Sequence, residues 1–217
     1  MAGTHVSPEW DDNDNGAFPE EFERIKEICD HLVLYKTRGD LGDAIARQVM
    51  HYSMYDLQVL GGSLVNEVAQ LPSPYREAVR PYFTEQIFGM YHRLLLMYRS
   101  GQFGTLRDPV SDPDAFSAFC QMVPRGCFCW DEHTESGIQF YTPFHRLFYY
   151  LISGFSMFVL NLPGHPVGMP FPGGIFIEEK DGTYFCPVRE KEKDVFYSIC
   201  NFCPAIQSET GDYKKEI

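Results

Sequence analysis

From Leu147 to Leu160 the chain runs for fourteen residues without a charge. A stretch of that kind must be shielded from water along its whole length, by a membrane or by the middle of a protein core. A spanning helix needs roughly 20 predominantly apolar residues. Here His145 and Arg146 stand directly before the run, Pro163 closes it, and Tyr149, Tyr150, Ser153 and Ser156 dilute it. The run therefore reads as a buried core helix. Thr142-Pro143 opens it, a capping residue followed by proline at the first helical position, and it ends near Asn161. The rest of the chain has to supply its cover.

That cover is helical and rich in aromatic residues. The chain holds 18 Phe, 13 Tyr and 2 Trp, and each such ring buries ~150–250 Å². Phe18, Phe22, Ile25, Cys29 and Leu32 recur at helical spacing, with Glu20, Glu21 and Glu23 in the first turn, where the helix dipole favours negative charge. Thr37-Arg38-Gly39 is expected to end this helix. Asp40 is expected to cap a second, with Leu41, Ile45, Val49 and Tyr52 on one side and the pattern carrying on to Leu60; Gly61-Gly62 interrupts or bends it, and helical spacing resumes from Ser63 to Leu71. Pro72-Ser73-Pro74 breaks the chain. Val79, Phe83, Ile87, Met90, Leu94 and Met97 then form the stripe of a helix over 75–99 that starts or kinks at Pro81. Asp112-Pro113 opens a short helix running to about Val123.

After residue 161 the period changes. P-G-H-P-V-G-M-P-F-P-G-G cannot be helix, and Ile175-Phe176-Ile177 and Thr183-Tyr184-Phe185 flank Lys180-Asp181-Gly182, a hairpin signal. The expected class is mainly α: a helical bundle with a small C-terminal β-hairpin and Cys-knuckle lobe. The expected divisions are a disordered N-terminus over 1–16, a helical body over 17–161, the lobe over 162–207 and a loose tail over 208–217.

A net charge of −12 argues against duplex nucleic acid and anionic membranes as partners. It leaves a protein partner, a second copy or a small ligand. The first sixteen residues lack the basic and apolar regions of a secretory signal, so a cytoplasmic location is expected, with the seven cysteines reduced or metal-bound. Cys200-x2-Cys203 is a knuckle that can present two thiolates to one metal, Cys186 ends a hairpin strand that can face it, and His165 sits in a Pro-Gly-His-Pro turn. A Cys3His set of His165, Cys186, Cys200 and Cys203 suits tetrahedral zinc in a structural role. An iron–sulfur or redox centre is the less favoured alternative, since ferredoxin spacing is absent. A second group, Cys120, Cys127, Cys129 and His133, has weaker spacing and reads as incidental thiols in an anchored loop. A rival enzymatic reading places a cleft between lobe and helical body, lined by His145, His92 and Tyr141. No nucleotide-binding or hydrolase motif is present to name a reaction.

F-Y-Y-L-I-S-G-F leading into P-G-H-P-V-G-M-P-F-P-G-G, then Y-F-C-P-V and C-N-F-C-P-A-I-Q, resembles an uncharacterised family of methanogenic archaea, the domain of unknown function 2115. The resemblance runs from about His145 to Gln207. It implies an intracellular archaeal protein of unknown activity. It supports grouping His165, Cys186, Cys200 and Cys203, which lie within those motifs.

Overall fold

The computed structural model describes residues 20–129 and 142–208. The expectations for the N-terminal segment, for His133 and Tyr141, and for the tail beyond Ser208 lie outside the described residues.

The uncharged run is the axis of the fold. Thr142 caps a helix over Pro143–Gly154, which continues into a π-helical turn, Phe155–Val159. The Thr142 hydroxyl accepts the His145 amide N–H at 3.3 Å, and His145 Nδ1 accepts the Thr142 amide N–H at 3.5 Å. This is a capping box with histidine where Glu or Gln is usual. From His145 to Val159 every residue but Tyr149 is buried. The wide turn lets Leu160 N–H reach the Phe155 carbonyl, and Arg38 Nε donates to the carbonyl of Val159.

Helices α1 (Glu20–Leu32), α2 (Arg38–Val49), α3 (Met54–Ala69), α4 (Tyr75–Thr84), α5 (Met90–Arg99) and α6 (Pro113–Gly126) surround this axis, which is α7. Helix α1 lies against α6 and α7, and α2 against α5, α7 and the π-helical turn. Phe148 packs between Tyr52 and Tyr91, and Phe158 between Phe116 and Phe119, with ring centroids 5.0–5.4 Å apart. Such tilted and edge-on pairs add to area burial.

Helix boundaries differ from expectation where local hydrogen bonds outvote the apolar period. Thr37, not Asp40, caps α2: its hydroxyl accepts the Asp40 amide N–H at 3.1 Å. The next break falls at residues 50–53 rather than at Gly61-Gly62. Ser53 and Asp56 form a reciprocal capping box there, and α3 runs through both glycines. The stripe over 75–99 is one helical rod with a π-helical turn, Glu85–Gly89, between α4 and α5; Pro81 lies inside α4. Asp112 caps α6 as expected, but the helix passes Pro124 and ends at Gly126.

The C-terminal segment forms two small sheets. Strands β1 (Pro170–Phe171) and β2 (Ile175–Phe176) pair antiparallel. Strands β3 (Glu178–Lys180) and β4 (Thr183–Cys186) make the hairpin, and β5 (Ile206–Gln207) adds parallel to β4. Asp181 and Gly182 have φ of 51° and 78°, both in the left-handed region a two-residue type I′ turn requires. Ile175-Phe176 pairs with Pro170-Phe171 and not with the Tyr184 strand, so the expected first strand is divided at the buried Ile177. Short 3₁₀ turns follow at Arg189–Glu192 and Ile199–Phe202. Met169, Ile177, Cys186, Ile199, Cys203 and Ala205 join the same buried cluster as the helices. Among the described residues no helix is long and apolar enough to cross a membrane.

Two glycines give opposite expectations. A Cβ on Gly39 would lie 2.2 Å from the Phe103 carbonyl oxygen and 2.6 Å from that of Leu106, which accepts the Gly39 N–H. Gly39→Ala should destabilise the fold by about 1–3 kcal/mol, the usual range for forced overpacking. Gly62 lies inside α3 with nothing within 4 Å of its Cβ position, so Gly62→Ala should stabilise by about 0.5–1 kcal/mol. Urea unfolding of the two variants measures both.

Candidate ligand-binding cavity and thiol cluster

The stripe of α4–α5 carries one polar side chain at a core-facing position. Gln86 falls three residues after Phe83 and four before Met90, and the π-helical turn holds it inward, 6% exposed. Its carboxamide makes no hydrogen bond within the described residues. It faces a chamber of about 140 Å³ whose walls are Leu60 and Leu64 from α3, Phe83 and Ile87 from the α4–α5 rod, and Phe148 and Tyr149 from α7. His165 closes the chamber from the P-G-H-P-V-G loop, its ring set edge-on to Phe171 at 6.3 Å. Arg146 and Glu67 complete the lining, and one Arg146 amino group donates to the Cys127 carbonyl at 2.6 Å. On the other side of Gln86 lies a second cavity of about 220 Å³, bounded by Ser156 from the second π-helical turn and by Pro163, Gly164 and Pro166. Both π-helical turns thus border the same region, and such turns recur at functional sites.

Within the described residues the His165 imidazole also has no hydrogen-bond partner. Part of its area is reached through the cavity, but the ring is enclosed by protein, and burial lowers its pKa from 6.5 to about 4. It is neutral at ordinary pH, with one N–H and one lone pair to offer.

The sequence grouped His165 with Cys186, Cys200 and Cys203. His165 lines the chamber, and none of the three thiols borders it. The three thiols share one buried neighbourhood, close enough that Cys203 and Cys186 raise the pKa of Cys200, which burial and these neighbours push up to about 11. Among the described residues no three His, Cys, Asp or Glu side chains are gathered as a metal ion requires. Cys203 Sγ accepts the Gly164 N–H at 3.3 Å. Nearby amides offset part of the burial-driven rise at Cys186 and Cys203, and the Ser198 hydroxyl part of that at Cys200, though all three thiols stay raised.

The other cysteines differ. Cys29 is raised to about 12 by burial first and Asp30 next, and Cys120 and Cys127 are also raised, with burial the leading cause. No hydrogen bond contributes to any of these shifts, and all three sit in the contact between α1, α6 and α7 as packing residues. Cys129 is buried as well.

The rival cleft of His145, His92 and Tyr141 is not assembled by the described residues. His92 is exposed on α5. His145 borders a groove of about 520 Å³ with Arg24, His51, Tyr52 and Asp56, but both its ring nitrogens are engaged. Nδ1 accepts from Thr142, so Nε2 carries the proton directed at Asp56 Oδ1, 3.4 Å away. Asp56 is in turn held below the usual carboxylate range by Ser53 first and His145 after it. The pair ties the cap of α3 to the cap of α7 and leaves no free base.

A family model described as "Uncharacterized protein conserved in archaea (DUF2115)" matches residues 37–208. The chain belongs to this family. The likeness read from the C-terminal motifs therefore extends back through α2, and the chamber and the lobe thiols both lie inside it. A UPF0305 protein of Methanocaldococcus jannaschii is 22% identical over 167 residues, covering 76% of this chain and 92% of that one. One of Methanopyrus kandleri is 27% identical over 136 residues, covering 63% and 86%. One of Methanothermobacter thermautotrophicus is 44% identical over 54 residues, a stretch covering 25% of this chain and 35% of the relative. No solved structure matches the chain.

The His165 environment carries a pH signature. Between pH 6.5 and about 4 the unfolded chain takes up a proton here that the folded chain refuses. Stability is therefore lost as pH falls through that window and is unaffected by this group above it. His165→Asn should reduce the loss between pH 7 and pH 5 by on the order of 1–2 kcal/mol, measured by urea unfolding of both proteins at the two pH values.

Proposed function

We propose that the protein binds a small organic ligand in the chamber between α3, the α4–α5 rod, α7 and the His165 loop. The observation that supports this most is Gln86, a polar side chain only 6% exposed that lines an otherwise apolar chamber and has no protein partner among the described residues. Its amide is reached only through the cavities it borders, and a polar group enclosed there without a partner would cost ~1–3 kcal/mol. Leucine or methionine at this stripe position would avoid that cost. One bridging water does not fill the space either, because a water's share of liquid volume is ~30 Å³ against a chamber of about 140 Å³. A bound molecule meets both conditions.

A screen of single-ring fragments by saturation-transfer NMR tests this. Fragments should bind wild-type protein with Kd in the millimolar range or below, and Leu64→Trp, which fills the chamber, should abolish binding. Absence of any binder, or binding unchanged in Leu64→Trp, overturns the reading.

A second reading concerns the lobe. We propose that Cys186, Cys200 and Cys203 hold a structural metal, with zinc preferred over an iron–sulfur centre on donor type and spacing. The Gly164 amide directed at Cys203 Sγ and the mutual proximity of the three thiols support it, because an N–H donor stabilises a thiolate and does little for a neutral thiol. Buried thiolates in turn need a cation. As they stand the sulfurs do not form a coordination shell, so uptake has to draw them to bonds of ~2.3 Å.

Elemental analysis of untagged protein should find about one zinc per chain if binding is stoichiometric. Cys203→Ala should lose the metal and melt at lower temperature, while Cys120→Ala should retain it. Protein free of metal yet unchanged in melting overturns the reading.

A further inference from the structure

The chamber can be read for the class of molecule it takes, an inference that rests on the ligand-binding proposal above. Size comes first. At about 140 Å³ the chamber is close to the ~150 Å³ apolar cavity that accepts one benzene. It fits a single six-membered ring and is too small for two fused rings with substituents. Shape comes next. Phe83, Phe148 and Tyr149 contribute aromatic surface, with Leu60, Leu64 and Ile87 between them, which suits a flat apolar body.

Charge is the third restriction. The lining holds one cation, Arg146, and one anion, Glu67, so the walls carry no net charge. His165 adds none, because its surroundings keep it neutral. A charged ligand entering this space would lose its hydration without gaining a net counter-charge, a large penalty. Hydrogen bonding is the last restriction. Gln86 presents a carbonyl acceptor beside an amino donor in one plane. The complement of that edge is another acceptor beside a donor: a carboxamide, or the N–H and carbonyl of a ring lactam. The neutral imidazole adds one donor and one acceptor nearby. A plain hydrocarbon ring leaves both groups unpaired. A carboxylate fills the acceptor role only, and as an ion.

We infer that the ligand is an uncharged, single-ring aromatic or heteroaromatic molecule bearing an amide or lactam edge, with that edge paired to Gln86 and its ring against Phe83, Phe148 and Tyr149.

Four probes separate this from the broader reading: benzene, benzamide, its charged isostere benzoate, and 2-naphthamide, each titrated into wild-type protein and Gln86→Met by calorimetry and saturation-transfer NMR. Methionine keeps the volume and removes the amide. In wild type, benzamide should bind more tightly than benzene, and benzoate and 2-naphthamide should not bind. In Gln86→Met, benzamide should weaken about tenfold with benzene unchanged. Benzoate binding as well as benzamide, 2-naphthamide binding more tightly than benzamide, or benzamide insensitive to Gln86→Met overturns the ligand class while leaving a working cavity. Failure of benzene and benzamide alike removes the cavity reading itself. If Gln86→Met does not fold, the comparison of benzamide with benzoate on wild-type protein decides.

Discussion

The structure depends on hiding α7 from water on every side. A helix with one apolar stripe needs one partner, but a helix whose residues from His145 to Val159 are almost all buried needs a complete sheath. Helices α1, α2 and α6 supply part of it, the α4–α5 rod another part, and the lobe closes the remainder through Met169, Ile177, Ile199 and Ala205. Each fully buried Phe or Leu contributes about 1.5–3 kcal/mol. Phe148, Phe155, Phe158, Leu147 and Ile152, all buried on this one axis, concentrate that contribution there. Its ends are fixed by different means. Thr142 and His145 lock the start and link it to α3 through Asp56, while the π-helical turn at the end lets a carbonyl leave the helix and meet Arg38.

Against that demand for apolar cover, the chamber at Gln86 is an exception. Interiors are packed to crystal-like density, and an empty space of this size loses the contacts its lining atoms would otherwise make. The chain bears that loss where three other departures from a simple core coincide: a polar amide on an apolar stripe, an imidazole burial keeps uncharged, and two π-helical turns. One departure alone is unremarkable in a helical protein. Their coincidence at one wall, between helices that otherwise pack by size and shape, supports the binding site proposed there. Local departures from the rules of good folding concentrate where function imposes them.

Periodicity and caps made most of the fold readable. The uncharged run, the Thr142-Pro143 and Asp112-Pro113 starts and the Asp181-Gly182 turn are short-range signals, and the structure has each of them. Helix boundaries went astray where two local signals competed. Apolar spacing ran on across residues 50–53, but the Ser53–Asp56 box supplied hydrogen bonds that spacing cannot see. Gly61-Gly62 read as a break because glycine weakens helices, yet the cost is only about 1 kcal/mol per residue, and burial of Leu60, Ser63 and Val68 on the core side outweighs it.

The site was harder to read because it is built from long-range contacts. His165 and Cys203 look like neighbours in the motif, and the backbone does bring them together, since Gly164 donates to Cys203 Sγ. The next residue's side chain nevertheless borders the chamber, which no thiol lines, and no spacing rule predicts that. The seven cysteines look alike in composition, but their surroundings divide them. For Cys29, Cys120 and Cys127 burial acts without any hydrogen-bonding group to offset it, while at Cys186, Cys200 and Cys203 neighbouring amides or a hydroxyl offset part of the rise. Gln86 did leave a trace in the sequence: one amide among Val79, Phe83, Met90 and Leu94 on a core-facing stripe. A polar residue at such a position must find a partner across the core, be exposed by a change of helical phase, or meet a ligand. The π-helical turn at Glu85–Gly89 changes the phase, yet Gln86 stays inside and unpaired within the described residues. The proposed ligand would supply that partner, which places the proposed site at this amide rather than at the more conspicuous cysteines.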